Sequence, residues 1–203
     1  MFAVDRSIPD SCVWRTDACD RCYNLKLYNV YPAMVGKDAR NEIEWAAISG
    51  EQIARELNRK RKPTDRFRLM TRGETLRDQS DFARVADIAS HNPGRLIWCP
   101  TRAWRDDAMR VRILRDLFPF RNLIVLASTD PGTTAEEDAA LAADGFSTMY
   151  FGDDNVSTTP AGRPWFYCPK TWRKLKGHCG ICKAGCFAPS TLGRRVDVHL
   201  REH

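Results

Sequence analysis

Two kinds of apolar pattern alternate between residues 49 and 151 of the chain. Short apolar runs rich in β-favouring side chains predict strands, and apolar side chains at every third or fourth position predict amphipathic helices. The run from Leu123 to Ala127 is continuous, which is typical of a strand buried on both faces. The predicted strands span residues 67–70, 96–98, 123–127 and 146–151.

Four amphipathic helices accompany these strands. Ser49 and Gln52 form a capping-box pattern ahead of the first helix, whose apolar face carries Ile53 and Leu57. The remaining helix signals are, in chain order, the cap Ser80, the periodic segment 106–117, the capping pair Thr133 and Glu136, and the terminal Gly145.

The alternation of strands and helices predicts an α/β fold with about five to six parallel strands and right-handed crossovers. Both an open doubly wound sheet and a partial (β/α) barrel fit this pattern, and we favour the partial barrel. In either architecture the functional loops follow the carboxyl ends of the strands. A proline-bearing polar segment at 157–164 separates a predicted βα domain, residues 1–156, from a tail at 157–203 that packs on it. The predicted functional loops are 71–75, 99–104, 128–132 and 152–155.

Seven of the eight cysteines form two clusters, one near each end of the sequence. No apolar leader is visible in residues 1–10, and no apolar run reaches the roughly 20 residues that cross a bilayer. We therefore expect a cytoplasmic protein without membrane contact, in which clustered cysteines are metal ligands rather than disulfides. The clusters are Cys12, Cys19 and Cys22, and Cys168, Cys179, Cys182 and Cys186.

The two clusters differ in completeness. The four tail cysteines can hold zinc or an iron–sulfur cluster, because both take four soft ligands, and a purely structural zinc clip is an alternative. The first cluster supplies three thiolates and leaves one position open for a substrate or cofactor. Cys99, which follows a predicted strand, is a candidate for the fourth ligand, but a lone cysteine there is also typical of core packing.

Charge is concentrated in the tail. The chain of 203 residues has a net charge of +6, and residues 160–203 carry nine lysines and arginines against two acidic residues, a net charge of +7. Beside Trp165, Tyr167 and Trp172, these cations could bind nucleic acid, or they could compensate a negatively charged thiolate centre. The sequence contains no Walker, HExxH, GxSxG or Rossmann motif, so the corresponding hydrolase and nucleotide-binding classes have no support.

Taken together, the motifs resemble two related groups of proteins. Three cysteines ahead of βα units, with Arg72-Gly73-Glu74 after a strand, are similar to the radical S-adenosylmethionine (SAM) layout. More specifically, the chain resembles the gene product 88 family of phage and plasmid proteins, which are radical-SAM-like. The matching pieces are CDRCY at 19–23, the segment 68–74, IWCPTRAW at 97–104, and CGICKAGCF at 179–187 followed by His199 or His203.

The resemblance implies a [4Fe-4S] cluster on the first three cysteines, with SAM on its open iron and an auxiliary cluster on the tail cysteines. It implies that Gly73 and Glu74 contact SAM, and that Thr101 and Arg102, with Asp130, are cofactor or substrate contacts. A phage-encoded protein would act in the bacterial host cytoplasm, and the substrate is unknown.

Other interpretations of these residues follow from the sequence as well. Arg72 replaces a glycine of the superfamily motif, and we expect its side chain to crowd the cofactor. Glu74 could instead occupy a solvated turn. A different class of function is a non-catalytic nucleic-acid- or protein-binding module with structural zinc or iron–sulfur.

Overall fold

A computed structural model describes residues 2–59, 66–152, 155–172, 186 and 196–201. Within these residues, seven parallel strands form one sheet that does not close on itself, in the order β1-β2-β3-β4-β5-β7-β6. The predicted α/β class and parallel sheet are confirmed. The strands are β1 (Phe2–Val4), β2 (Arg66–Leu69), β3 (Leu96–Thr101), β4 (Leu123–Thr129), β5 (Ser147–Gly152), β6 (Phe166–Tyr167) and β7 (Val198–Arg201).

The helices lie between these strands in the sequence. The third predicted helix, residues 106–117, is confirmed in its length, and its second half, Ile113–Leu117, is π-helical. A 3₁₀ helix, Asp17–Arg21, precedes α1. The α-helices are α1 (Tyr23–Val30), α2 (Ala33–Ala47), α3 (Gly50–Asn58), α4 (Gln79–Ser90), α5 (Asp107–Arg112), α6 (Ala135–Ala143) and α7 (Pro169–Trp172). None of these helices combines the length and the apolarity that crossing a bilayer requires.

The main core lies on one face of the sheet, which we call the outer face. Strands β1 to β5 follow sequence order, so right-handed crossovers place their helices on the same side. Buried residues of α3 to α6, such as Phe82 and Leu141, pack there against alternate strand residues, such as Phe67 and Val125.

The opposite face, which we call the inner face, is apolar too. A second buried cluster lies on it, comprising Trp98, Ile124, Leu126, Met149 and Val198. The β4 strand is buried along its whole length, as its continuous apolar run predicts. Something other than the crossover helices must cover this face, and the cavity described below lies against it.

Two of the predicted helix caps are wrong by one or two residues. The cap of α4 is Asp78 rather than Ser80, because the Asp78 carboxylate accepts hydrogen bonds from the backbone N–H and the hydroxyl of Ser80 (2.9 and 2.6 Å). The cap of α6 is Thr134, which pairs with Glu137 rather than Glu136. The predicted pair at α3 is confirmed: Ser49 Oγ accepts from the N–H of Gln52 (3.1 Å).

The end of α6 is confirmed as well. Gly145 has a φ of +85°, the left-handed conformation that commonly ends a helix. Thr133 has a different role from the predicted one, because its Oγ1 accepts a hydrogen bond from the backbone N–H of Asp130 (3.1 Å) in the loop after β4.

The tail returns to the sheet at β7. His199 is fully buried within four aromatic rings, with centroids 4.8–5.5 Å from its own. Its backbone carbonyl accepts hydrogen bonds from the N–H of Cys168 (3.0 Å) and from Trp172 Nε1 (3.2 Å). The segment that carries Cys168 is therefore fastened to the same sheet as the rest of the fold. The four rings are those of Tyr150, Trp165, Tyr167 and Trp172.

Candidate functional site

A cavity of about 550 Å³ lies against the inner face of the sheet and reaches the carboxyl ends of its strands. Its walls are the inner-face strand residues, the segment between β1 and α1, and part of the tail. All five cluster cysteines in the described residues line it: Cys12, Cys19, Cys22, Cys168 and Cys186. Cysteines from both ends of the sequence thus meet at one cavity.

The thiols are not arranged around a single ion. Within the described part of the chain, no three His, Cys, Asp or Glu side chains form a group that could hold one metal ion. Cys179 and Cys182, two of the four predicted tail ligands, lie outside the described residues.

Asp5, directly after β1, fixes the start of the segment between β1 and α1, residues 5–22, which we call the cysteine-bearing segment. Its carboxylate accepts hydrogen bonds from the backbone N–H groups of Thr71 (2.8 Å) and Arg72 (3.0 Å). The backbone N–H of Arg6 in turn donates to the Arg72 carbonyl (3.1 Å). These bonds join the segment to the turn after β2, so the two walls of the cavity are set against each other.

Cys19 is positioned by the 3₁₀ helix on which it lies. Thr16 precedes that helix, and its backbone N–H donates to Cys19 Sγ (3.5 Å). The Thr16 hydroxyl donates to Asp130 Oδ2 (2.8 Å), a fully buried carboxylate in the loop after β4. Asp130 therefore anchors the cysteine-bearing segment; it is not among the cavity-lining residues.

Cys22 and Cys12 lie at contrasting places. Cys22 is the N-cap residue of α1. Burial, together with the nearby Glu74, Cys19 and Cys22, raises the pKa of the Cys12 thiol to about 11. Without a bound cation, Cys12 is therefore a neutral thiol at physiological pH.

Gly73 allows the turn after β2 to touch the cysteine-bearing segment. Its φ is +80°, and a Cβ at this position would meet the Ser11 hydroxyl and lie 2.9 Å from Arg6 Cβ. Both the conformation and the space therefore require glycine. Ser11 immediately precedes Cys12, so this contact sets the position of a predicted ligand.

Glu74 is buried, with 7% exposure, so the solvated-turn interpretation is wrong. Its carboxylate accepts hydrogen bonds from Thr101 Oγ1 (2.7 Å) and from the backbone N–H groups of Leu76 (3.0 Å) and Arg102 (2.9 Å). Burial raises the pKa of Glu74, although these donors oppose the shift. The four predicted cofactor residues are thus brought together. Gly73, Glu74 and Arg102 line the cavity. Thr101 does not line it but donates a hydrogen bond to Glu74.

Arg72 does not crowd the cavity, contrary to expectation. Its guanidinium binds both carboxylate oxygens of Asp38 on α2 (2.6 and 2.9 Å) and one oxygen of Asp5 (2.8 Å). The side chain is therefore held against α2 and is not a cavity-lining residue. Arg72, the residue that replaces a glycine of the superfamily motif, thus has Asp38 as its structural partner.

Cys99 lies on the outer face, within the main core. It is fully buried, and burial raises the pKa of its thiol. The packing interpretation of Cys99 is therefore correct, and it does not contribute to the cavity.

The structure describes the side chains of two of the tail's nine cations. Arg163 forms ion pairs with Asp138 (2.5 Å) and Asp197 (2.9 Å), which favours a structural role over contact with phosphate. Lys170 lines the cavity. The run from Arg173 to Lys183 lies outside the described residues, so nucleic-acid binding by the tail stays a prediction.

Sequence reasoning missed the residues that hold the site together, chiefly Asp5, Ser11 and Thr16. The one available signal was Thr16, which stands three residues before Cys19 in a helix-capping pattern. The others are linked to their partners only through contacts between distant parts of the chain.

Comparison with models of known protein families identifies the family of the chain. The model of the Gene product 88 family matches residues 3–149, well over half of the sequence. This chain belongs to the Gene product 88 family. The matched region contains Cys12, Cys19 and Cys22 together with the Gly73-Glu74 turn, whereas Cys168 and Cys186 lie beyond it. No curated protein and no solved structure shows significant similarity to this Gene product 88 protein.

Proposed function

We propose that this protein is a radical-SAM-like iron–sulfur protein whose first three cysteines hold a [4Fe-4S] cluster. The observation that carries the proposal is the convergence of Cys12, Cys19 and Cys22 with Gly73, Glu74 and Arg102 on one cavity. This cavity reaches the carboxyl ends of parallel strands, where βα folds carry their chemistry.

The strand order supports a partial barrel. Strands β1 to β5 are adjacent in sequence order, without the reversal that marks a doubly wound sheet. The helices pack on the outer face of the sheet, and the inner face is the one that borders the cavity. We infer that the sheet curves around the cavity as an incomplete barrel, which the cysteine-bearing segment and the tail cover.

The donor set fits an iron–sulfur cluster. Three thiols on one short segment are soft ligands, and no histidine of the described residues lines the cavity. A cluster takes thiolates that are farther apart than those around one ion, because iron and sulfide atoms lie between them. The Cys12 thiol must lose its proton when it becomes a ligand, so loading would release protons.

The chain's own residues would then orient the ligands. Glu74, held by three donors, cannot rotate away from the wall, and Arg102 beside it presents a cation paired to Asp130 at 3.5 Å. When bound, the cluster and SAM would supply one-electron chemistry. Cys168 and Cys186 line the same cavity, and we propose that the tail cysteines hold an auxiliary cluster, with zinc as the alternative metal.

The test is the iron and acid-labile sulfide content of protein purified without oxygen. We expect a brown protein whose iron content falls in the Cys12→Ser and Cys22→Ser variants but not in the matched control Cys99→Ser, since Cys99 lies on the outer face. A colourless protein that contains zinc would overturn the iron–sulfur proposal. Binding of SAM to the iron-loaded protein, and its cleavage on reduction, test the enzymatic part separately.

A further inference from the structure

The inner face carries a second feature, a stacked pair formed by Arg68 on β2 and Trp98 on β3. The two residues are register partners on adjacent strands, and both line the cavity. The guanidinium carbon of Arg68 lies 4.5 Å from the centroid of the Trp98 ring. Arg68 Nε also donates to the Met70 carbonyl (3.0 Å), so the plane of the guanidinium is fixed at two points.

This pair lies on the strand floor of the cavity. Arg68 is within β2 and Trp98 within β3, whereas Gly73 and Glu74 lie in the turn after β2. On this floor, Cys186 of the tail packs against the apolar cluster that contains Trp98.

Among the described residues that line the cavity, cations outnumber carboxylates, which favours an anion. Among the described lining residues, Glu74 is the only carboxylate, and it already accepts three hydrogen bonds. The cations on the walls are Arg15, Arg68, Arg102 and Lys170. Arg15 is exposed and pairs with Asp20 at 3.0 Å, and Arg102 pairs with Asp130.

Arg68 lies among apolar side chains. It is half-buried on the strand floor, where Trp98, Met149 and Val198 form an apolar cluster. A charge in such surroundings attracts an opposite charge more strongly than one in water, because the local dielectric is lower.

We propose that Arg68 and Trp98 form a subsite for an organic anion, with a phosphate or carboxylate group attached to an aromatic or other apolar body. The guanidinium fork binds either group through two parallel N–H···O bonds. The apolar floor beside Trp98 and Met149 accommodates the body of the molecule. This inference deepens the proposed function by naming the substrate class of the same cavity.

The test is calorimetric titration of the full-length chain, purified without oxygen, with iron content measured on the same sample. The probes are 1-naphthyl phosphate, 1-naphthoate and the uncharged 1-naphthol. We expect at least one anion to bind tenfold or more tightly than 1-naphthol, and the tighter anion identifies the group that the subsite prefers. Because anion affinity and iron content are separate readouts, failure of one proposal is distinguishable from failure of the other.

Variants assign the effect to Arg68. Arg68→Met should abolish most of the preference for the anion, and Arg68→Lys, which keeps the charge but loses the planar fork, should weaken it. Arg121→Met removes the same charge from an exposed position outside the cavity and should bind like the wild type. Equal affinity for 1-naphthol and both anions, no binding of any probe, or equal losses in folded Arg68→Met and Arg121→Met would overturn the proposal.

Discussion

Replacing Gly73 with alanine perturbs the contact between the turn after β2 and the cysteine-bearing segment. The new Cβ would meet the Ser11 hydroxyl and lie 2.9 Å from Arg6 Cβ and 3.1 Å from the Arg6 carbonyl oxygen. A left-handed backbone costs an alanine roughly 1 kcal/mol, and overpacking adds about 1–3 kcal/mol. We therefore expect Gly73→Ala to lower the free energy of unfolding by about 2–4 kcal/mol.

Gly145 and Gly162 provide matched controls. Their φ values, +85° and +81°, are close to that of Gly73, but no described atom lies within 4 Å of an added Cβ. Alanine at either position should therefore cost only the backbone contribution of about 1 kcal/mol.

The assay for all three variants is urea denaturation followed by far-ultraviolet circular dichroism, with the slope m compared among them. Equal destabilisation of the three variants would refute the reasoning, because it would mean that the contact with Ser11 and Arg6 contributes nothing. Since Ser11 adjoins Cys12, Gly73→Ala should also lower the iron content of anaerobically purified protein, whereas the controls should retain it.

Three further substitutions test the network around the cavity. Arg72→Met leaves the fully buried Asp38 without its bidentate partner, and we expect a loss of about 3–5 kcal/mol in urea denaturation that Asp38→Asn partly restores; a neutral Arg72→Met would contradict this. Glu74→Gln replaces one acceptor oxygen with an NH2 donor that faces a buried N–H or O–H donor, and should cost about 1–3 kcal/mol, whereas an unchanged urea midpoint would show that the buried donor finds another partner. Burial raises the pKa of Tyr28 to about 12, so its phenol binds its proton more tightly in the folded state. The stabilisation this gives is present below about pH 10 and lost as pH rises towards 12, so the stability difference between the wild type and Tyr28→Phe should shrink over that interval, and a constant difference would argue against the assignment.

The central βα units could be predicted because their side chains repeat with a regular period. In α3, Ile53 and Leu57 are buried and the polar residues face outward, and β4 is a continuous apolar run. The cap errors have a local cause: Asp78 and Ser80 are both good N-cap residues, and only the backbone geometry decides between them.

The elements before α3 lack such a regular repeat of apolar side chains. In α2 only Asp38 and Trp45 are buried, and Ile43 is 71% exposed, so the apolar positions do not trace the packed face. Strand β1 has three residues, too few for a period to show. Helix α2 and the residues directly after β1 are held by ion pairs with partners distant in the sequence, for example Arg6 with Glu42 and Asp81.

The sequence indicated part of the candidate site's residues but not their arrangement. The sequence indicated the cysteines and the Gly73-Glu74 turn, whereas the meeting of both cysteine clusters at one cavity depends on β7 pairing with β5. Such pairing is set by side chains far apart in the sequence, which local patterns do not report.

The two walls of the cavity come from parts of the chain that are synthesised at different times. Residues that precede β2 supply one wall, while Cys168, Cys186, Val198 and Leu200 supply another. During synthesis, the first wall and strands β1 to β5 can fold while the inner face beside Trp98 is still open to water. The pocket is finished only once Leu200 has left the ribosome and β7 has joined the sheet. Any cofactor that the pocket encloses is therefore added either before β7 joins the sheet, while the inner face is open, or after the pocket is complete.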